Sequence, residues 1–271
     1  MTKTTVNLGV VQETLLIPLW ARACEFSKPD PLIQDPKSVE IIEAIDYDFD
    51  KFATAKSSQI GTCLRGMILD NWVRAYLQQH PQGSVVEIGA GLNTRFERVD
   101  NGEVRWFDLD LPDSMTLRKQ FFEETERRQF ITASALDIDW IERVKAVNVP
   151  CMFVAEGVLI YLSEEQVQQL FANLLEHFPG CWFAFDSMSP LMVKNQKRHD
   201  SINYTSAKFN WSISDIRKIQ DWDLRYQVIE VTTFADLPAK YLRRFGVVIR
   251  LLFSYIPFLR NMYRLTLVRL S

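Results

Sequence analysis

The sequence predicts an α/β fold whose mostly parallel sheet is covered by helices on both faces, and three features predict it. Short apolar runs alternate with helical segments through the middle of the 271 residues, the pattern of successive βαβ units. Two of those runs, Met152-Phe153-Val154 and Trp182-Phe183-Ala184-Phe185, are continuously apolar, as in strands packed on both sides. A third, Val85-Val86-Glu87-Ile88, passes directly into a glycine turn, Gly89-Ala90-Gly91.

Taken in order, the segment from Glu13 to Cys24 predicts a helix interrupted near Pro18. Ile60, Leu64, Met67, Ile68, Trp72, Tyr76 and Leu77 trace a second helix by their spacing. Five strands follow, at Ser84 to Ile88, Val104 to Leu109, Phe130 to Ala133, Cys151 to Ala155 and Cys181 to Phe185. Between the last two, Ser163-Glu164-Glu165-Gln166 is a capping box for a helix with Val167, Leu170, Phe171, Leu174, Leu175 and Phe178 on one face, stopped by Pro179-Gly180. A polar stretch from Ser187 to Trp222 precedes two late strands, Arg225 to Thr233 and Tyr263 to Leu270, with the apolar segment Phe245 to Leu259 between them. Seven strands, five in βα alternation and two late, fit a Rossmann-like seven-stranded sheet better than a symmetric dinucleotide-binding one. The chain reads as one domain over residues 1–271: an N-terminal helical cap (1–82), a cofactor-binding core (83–186), a lid insertion (187–223), and C-terminal strands with an apolar helix (224–271).

Composition narrows the function. A net charge of −3 and a pI near 5.7 argue against a nucleic-acid partner, which calls for a basic face. Cys24, Cys63, Cys151 and Cys181 form no cluster of metal-ligand spacing, so no metal is expected. Leu15-Leu16-Ile17 is cut short by Pro18 and has no following small-residue cleavage site, which makes the cytoplasm the expected compartment. Phe245 to Leu259 is shorter than the ~20 residues of a membrane span and is interrupted by Arg250 and Pro257. Nothing in the sequence sets an oligomeric state.

The glycine turn lets backbone N–H groups approach a ligand closely, because glycine has no Cβ to collide and accepts positive φ. A full pyrophosphate fingerprint would place a third glycine where Thr94 stands. Asp110 lies 19 residues after Gly91, near the ~20-residue separation at which a carboxylate meets ribose hydroxyls; Asp108 is its rival, and an Asp capping the helix after Pro112 is the structural alternative. Asp137 and Glu156 stand where the third and fourth strands end. Asp137 could instead cap the helix carrying Trp140, whereas Glu156, directly after an apolar run, would be an unpartnered buried charge without a ligand or cation. The tips of parallel strands converge, so Glu87, Asp110, Asp137 and Glu156 could line one crevice. Such a crevice suits S-adenosylmethionine, with its sulfonium, ammonium, ribose diol and adenine amine, better than the anionic pyrophosphate of NAD.

The series Glu87-Ile-Gly-Ala-Gly-Leu-Asn-Thr-Arg95, Asp108-Leu-Asp-Leu-Pro112, Ser134-Ala-Leu-Asp137 with Trp140, and Ala155-Glu-Gly-Val-Leu-Ile-Tyr-Leu162 resembles the leucine carboxyl methyltransferase family. Within it the chain is more similar to the bacterial branch of tetracenomycin-type polyketide O-methyltransferases than to the eukaryotic phosphatase-modifying branch. The resemblance runs from about residue 13 to 190 and departs from the family at Asn93, where an aspartate is usual. It implies a class I S-adenosylmethionine-dependent fold in which Gly89 and Gly91 face the cofactor, Asp110 holds the ribose, Leu136 and Asp137 flank adenine and Glu156 accepts from the ammonium. Arg65 would bind the methionine carboxylate, with Arg22 in a loosely matched segment. Without the resemblance, Arg65 and Arg95 would read as surface helix arginines.

The expected activity is therefore O-methylation of a carboxylate or hydroxyl on a small, hydrophobic metabolite. A carboxylate acceptor needs no general base, consistent with only three histidines, His80, His177 and His199. Tyr161 is a candidate for orienting substrate, and Tyr204, Phe209 and Trp211 for a lid over it. The alternatives are an NAD-dependent oxidoreductase and an S-adenosylmethionine-binding module without turnover.

Overall fold

The computed structural model describes residues 4–5, 12–196 and 207–271. A short parallel pair, β1 (Thr4–Thr5) and β2 (Ile45–Asp46), stands apart from the main sheet. That sheet holds β3 (Ser84–Ile88), β4 (Arg105–Asp110), β5 (Arg128–Thr132), β6 (Cys151–Ala155), β7 (Cys181–Met188), β8 (Tyr226–Thr232) and β9 (Tyr263–Leu270). Their spatial order is β5-β4-β3-β6-β7-β9-β8. The first five pair in parallel. β9 inserts antiparallel between β7 and β8, so its Tyr263 end lies beside Met188 at the carboxyl end of β7.

Alternation along the strands divides the core. Val86, Ile88, Phe107, Leu109, Phe153, Phe183 and Phe185 face α6 (Asp139–Lys145) and α7 (Glu164–His177). Val85, Trp106, Met152, Val154, Ala184, Leu265 and Leu267 face α3 (Lys56–Gln79) on the other side. α7 begins with the expected capping box between Ser163 and Gln166. α1 (Leu16–Phe26) packs on α3 and on α2 (Pro36–Ala44), whose N-cap is Asp35. Pro18 does not interrupt α1: it falls in the first turn, where the missing N–H would have no helical partner.

The connections after the strands carry α4 (Arg95–Val99) and α5 (Pro112–Arg118). β7 runs three residues beyond the expected Phe185, taking in Asp186 and Ser187. α8 (Pro190–Lys194) follows it. Between β8 and β9 lie three short helices, α9 (Ala239–Leu242) and then, from the apolar segment, α10 (Val247–Tyr255) and α11 (Pro257–Arg260), divided at Gly246 and Pro257. Among the described residues no helix is long and apolar enough to cross a membrane.

Candidate active site

A cavity of about 670 Å³ runs along the carboxyl edge of the sheet from the β5 tip to the start of β9. Its floor is the turn after β3. Gly89 and Gly91 both have positive φ, 65° and 45°, a conformation that side chains with a Cβ rarely adopt. A Cβ on Gly89 would stand 2.4 Å from Val158 Cγ2, and one on Gly91 would stand 3.2 Å from Leu15 Cβ. The turn is braced from both sides. Gly89 N–H donates to Leu109 O at 2.8 Å, and Arg118 Nη1 donates to the carbonyls of Ala90, Gly91 and Asn93.

Asp110, at the end of β4, accepts from Gly91 N–H at 2.6 Å and from Leu111 N–H at 2.7 Å. Burial raises its carboxyl above the ordinary value despite those two donors. It lines the cavity with Leu111, Ser114 and the residues from Ala133 to Leu136.

Glu156, after β6, is the charged centre of the wall. Arg65 Nε donates to its Oε1 at 2.9 Å, while Arg95 Nη2 and Asn93 Nδ2 donate to Oε2. Burial alone would raise its carboxyl, but Arg65, Arg95 and Arg22 outweigh that and hold it at about 2. Arg65 also donates to the Tyr263 hydroxyl at 2.9 Å, and Tyr263 donates to Asp186. The second Asp186 oxygen accepts from Gly157 N–H at 2.6 Å. Burial opposes the Arg65 charge, but Glu156 and Asp186 keep the guanidinium protonated.

The residues singled out from sequence divide into those on the cavity and those behind it. Arg65, Gly89, Gly91, Asp110, Leu136, Glu156, Tyr161, Phe209 and Arg22 line it. Glu87 does not; it is buried behind the wall, accepting from Arg95 Nε and Asn93 Nδ2, both at 2.9 Å. Asp108 is likewise buried, between Arg118 and Arg128. Asp137 neither lines the cavity nor caps α6, but closes a turn by accepting from Ser134 N–H at 3.0 Å. Trp211 turns into the core against Phe185, with ring centroids 6.3 Å apart, whereas Phe209 packs on Tyr161 at 5.8 Å. Tyr204 lies outside the described residues. Neither Arg65 nor Arg95 is a surface arginine: their side chains are 11% and 0% exposed, and both are held by carboxylates.

Sequence reasoning missed Asp186, Tyr263, Asn93 and Thr14–Leu15. Asp186 carried the signal that singled out Glu156, a charge directly after a continuous apolar run. Tyr263 carried none, because its place depends on β9 pairing with β7. The missed aromatics Phe234 and Phe245 join Met188, Ile249 and Phe209 to make the β7–β9 half of the cavity apolar.

The donor set fits S-adenosylmethionine. A positive-φ glycine bend leaves room for a ligand where side chains would intrude, and Asp110 offers carboxylate oxygens at the cavity wall. Asn93 lines the same wall, and among the described residues its buried Oδ1 has no hydrogen-bond donor, which leaves an acceptor suited to a cationic N–H. Among the described residues no group of His, Cys, Asp and Glu is arranged to hold a metal.

A family model for leucine carboxyl methyltransferases matches residues 16–175. The chain is 33% identical over 217 residues to the tetracenomycin polyketide synthesis O-methyltransferase TcmP of Streptomyces glaucescens, covering 80% of each chain. It is 27% identical over 240 residues to the S-adenosyl-L-methionine-dependent methyltransferase dpfgK of Gibberella zeae, again with 80% of each covered. Two solved structures share the fold. A duf574 family protein from Streptomyces avermitilis aligns with a TM-score of 0.53 at 11% identity, over 94% of this chain and 97% of that one. Magnesium protoporphyrin IX methyltransferase from Synechocystis, with bound SAH, aligns with a TM-score of 0.50 at 12% identity, over 87% and 99%.

Proposed function

The chain belongs to the leucine carboxyl methyltransferase family and is an S-adenosylmethionine-dependent methyltransferase on a class I fold, and we propose that it methylates an oxygen of a small, hydrophobic acceptor. The carrying observation is the two-part cavity: glycines, Asp110 and Glu156 on the β5–β6 side, aromatic and aliphatic side chains on the β7–β9 side, and Arg65 between them. Similarity to an enzyme of polyketide synthesis agrees with an acceptor that is largely apolar and rich in rings.

The cofactor supplies a methyl group activated by a sulfonium. In this reading the protein's part is placement and exclusion of water. The glycine bend and Leu136 would bound the nucleoside, Asp110 would take the ribose hydroxyls, and Glu156 with Asn93 Oδ1 would accept from the ammonium. Arg65, held by Glu156 and Tyr263, presents its charge to a carboxylate. Phe209 and Tyr161, packed on each other at the cavity wall, would hold the acceptor on its apolar side.

Among the described residues no histidine lines the cavity. Burial pushes the Tyr161 and Tyr263 phenols up, so neither is a ready base at neutral pH. This favours a carboxylate acceptor, which is already ionised, over a phenol.

The test is incubation with methyl-labelled donor and a panel of aromatic acids, phenols and amines matched in ring size. Label in a base-labile ester is the expected result, and label in a stable ether keeps the wider O-methyl reading. Transfer to amines alone would overturn it.

A further inference from the structure

The α9–α11 segment has a composition unlike the rest of the molecule. From Leu237 to Ser271 there are seven Lys or Arg residues and no Asp or Glu, in a chain of net charge −3. α10 is apolar on two sides. Ile249 faces the cavity, as does Leu259 on α11. Away from it, Val247, Leu251 and Tyr255 form an i, i+4, i+8 stripe at 60%, 51% and 78% exposure, and Phe258 on α11 is 50% exposed. A helix that merely roofs a cavity presents polar residues to water; this one presents large apolar ones, and a contiguous exposed apolar face marks an interaction surface.

The charges that flank the stripe in sequence select its partner. Arg244 is engaged by Glu25 and Asp30, each at 3.4 Å, and Arg260 by Asp236. Lys240 and Arg243 are exposed, and among the described residues neither forms an ion pair. A two-fold contact between copies would set this cationic rim against itself. An anionic lipid surface supplies both an apolar phase and the opposite charge. We propose that the outer face of α10–α11 docks on an anionic membrane surface, lying in the interface without spanning it. The docking does not depend on which acceptor is methylated.

Co-sedimentation of the full chain with vesicles tests it, using phosphatidylglycerol mixed into phosphatidylcholine against phosphatidylcholine alone. The expected result is binding that favours the anionic vesicles by about tenfold and weakens as salt rises. Leu251→Glu with Phe258→Glu abolishes it. Lys240→Glu with Arg243→Glu, which leaves the apolar stripe intact, lowers binding to anionic vesicles by roughly tenfold or more and leaves binding to phosphatidylcholine unchanged. Thermal melts establish that each variant is folded, and if the first pair is not, the charge-reversal pair decides. Equal recovery in the supernatant with both vesicle types overturns the proposal. So does a dimer in sedimentation equilibrium that Leu251→Glu with Phe258→Glu dissolves, since the stripe would then belong to a second copy.

Discussion

Arg95 Nε lies 2.9 Å from a carboxylate oxygen of Glu87, with both side chains shut away from solvent. The same guanidinium reaches Asp70 and Glu156, so one cation serves three acids, and only Glu156 also faces the cavity. Removing one partner of a buried pair strands the other charges. Arg95→Leu is expected to lower unfolding free energy by about 3–5 kcal/mol in urea titrations. Donor affinity falls with it, because Glu156 loses one of its two guanidinium donors. A loss within measurement error would mean that the acids find other partners.

The Glu156 carboxyl is held at about 2, below the 4.5 of an unperturbed glutamate. Between those values the unfolded chain binds the proton and the folded one does not, so the contribution of this group is complete above about pH 4.5 and is lost as pH falls toward 2. Burial raises Glu87, Asp110 and Asp186 instead, and they act with the opposite sign. The Glu156 part is isolated by comparison with Glu156→Gln. The stability gap between the two proteins, on the order of 3 kcal/mol at neutral pH, is expected to close across that acid window; a gap that stays constant would refute the assignment.

Gly89→Ala places a Cβ at φ 65° and 2.4 Å from Val158 Cγ2. We expect a stability loss of about 1–3 kcal/mol and at least a tenfold fall in donor affinity by calorimetry, about 1.4 kcal/mol or more. Adding Val158→Ala removes the collision but not the left-handed backbone. Partial recovery is the expected outcome, and complete recovery would show that φ carries none of the cost.

Phe209 and Trp211 are expected to separate by assay. Phe209→Ala should raise KM for the acceptor by about tenfold with little change in donor affinity. Trp211→Ala should cost about 3–5 kcal/mol of stability and leave KM near normal in the folded fraction. The reverse pattern would put Trp211, not Phe209, against the substrate.

Asp110→Ala is expected to weaken donor binding by tenfold or more, about 1.4 kcal/mol at the least, while thermal unfolding changes little. Its oxygens accept from the N–H groups of Gly91 and Leu111, both able to turn to water when the ligand is absent. Near-normal affinity would remove Asp110 from the site.

Much of the fold is legible in the sequence. The strands were readable because apolar runs flanked by glycine and proline fix period and length together, and β3, β6 and β9 begin and end at the expected residues. The Asp110 and Glu156 positions followed from strand ends. What was hidden depends on which way a side chain turns. Glu87 and Asp137 sit at the right tips but point behind the wall or into a local turn, and Phe209 and Trp211, two residues apart, go to different places. Helix spacing could not show that Arg65 and Arg95 are interior, because Glu156, the partner they share, lies 91 and 61 residues away.

The Arg65 bond to Tyr263 ties residues 198 positions apart. Contacts of such long range are among the slowest for a folding chain to make. During refolding, helical signal should therefore return earlier than the capacity to take up methyl donor, with the interval between them marking the time β9 needs to slot between its neighbours.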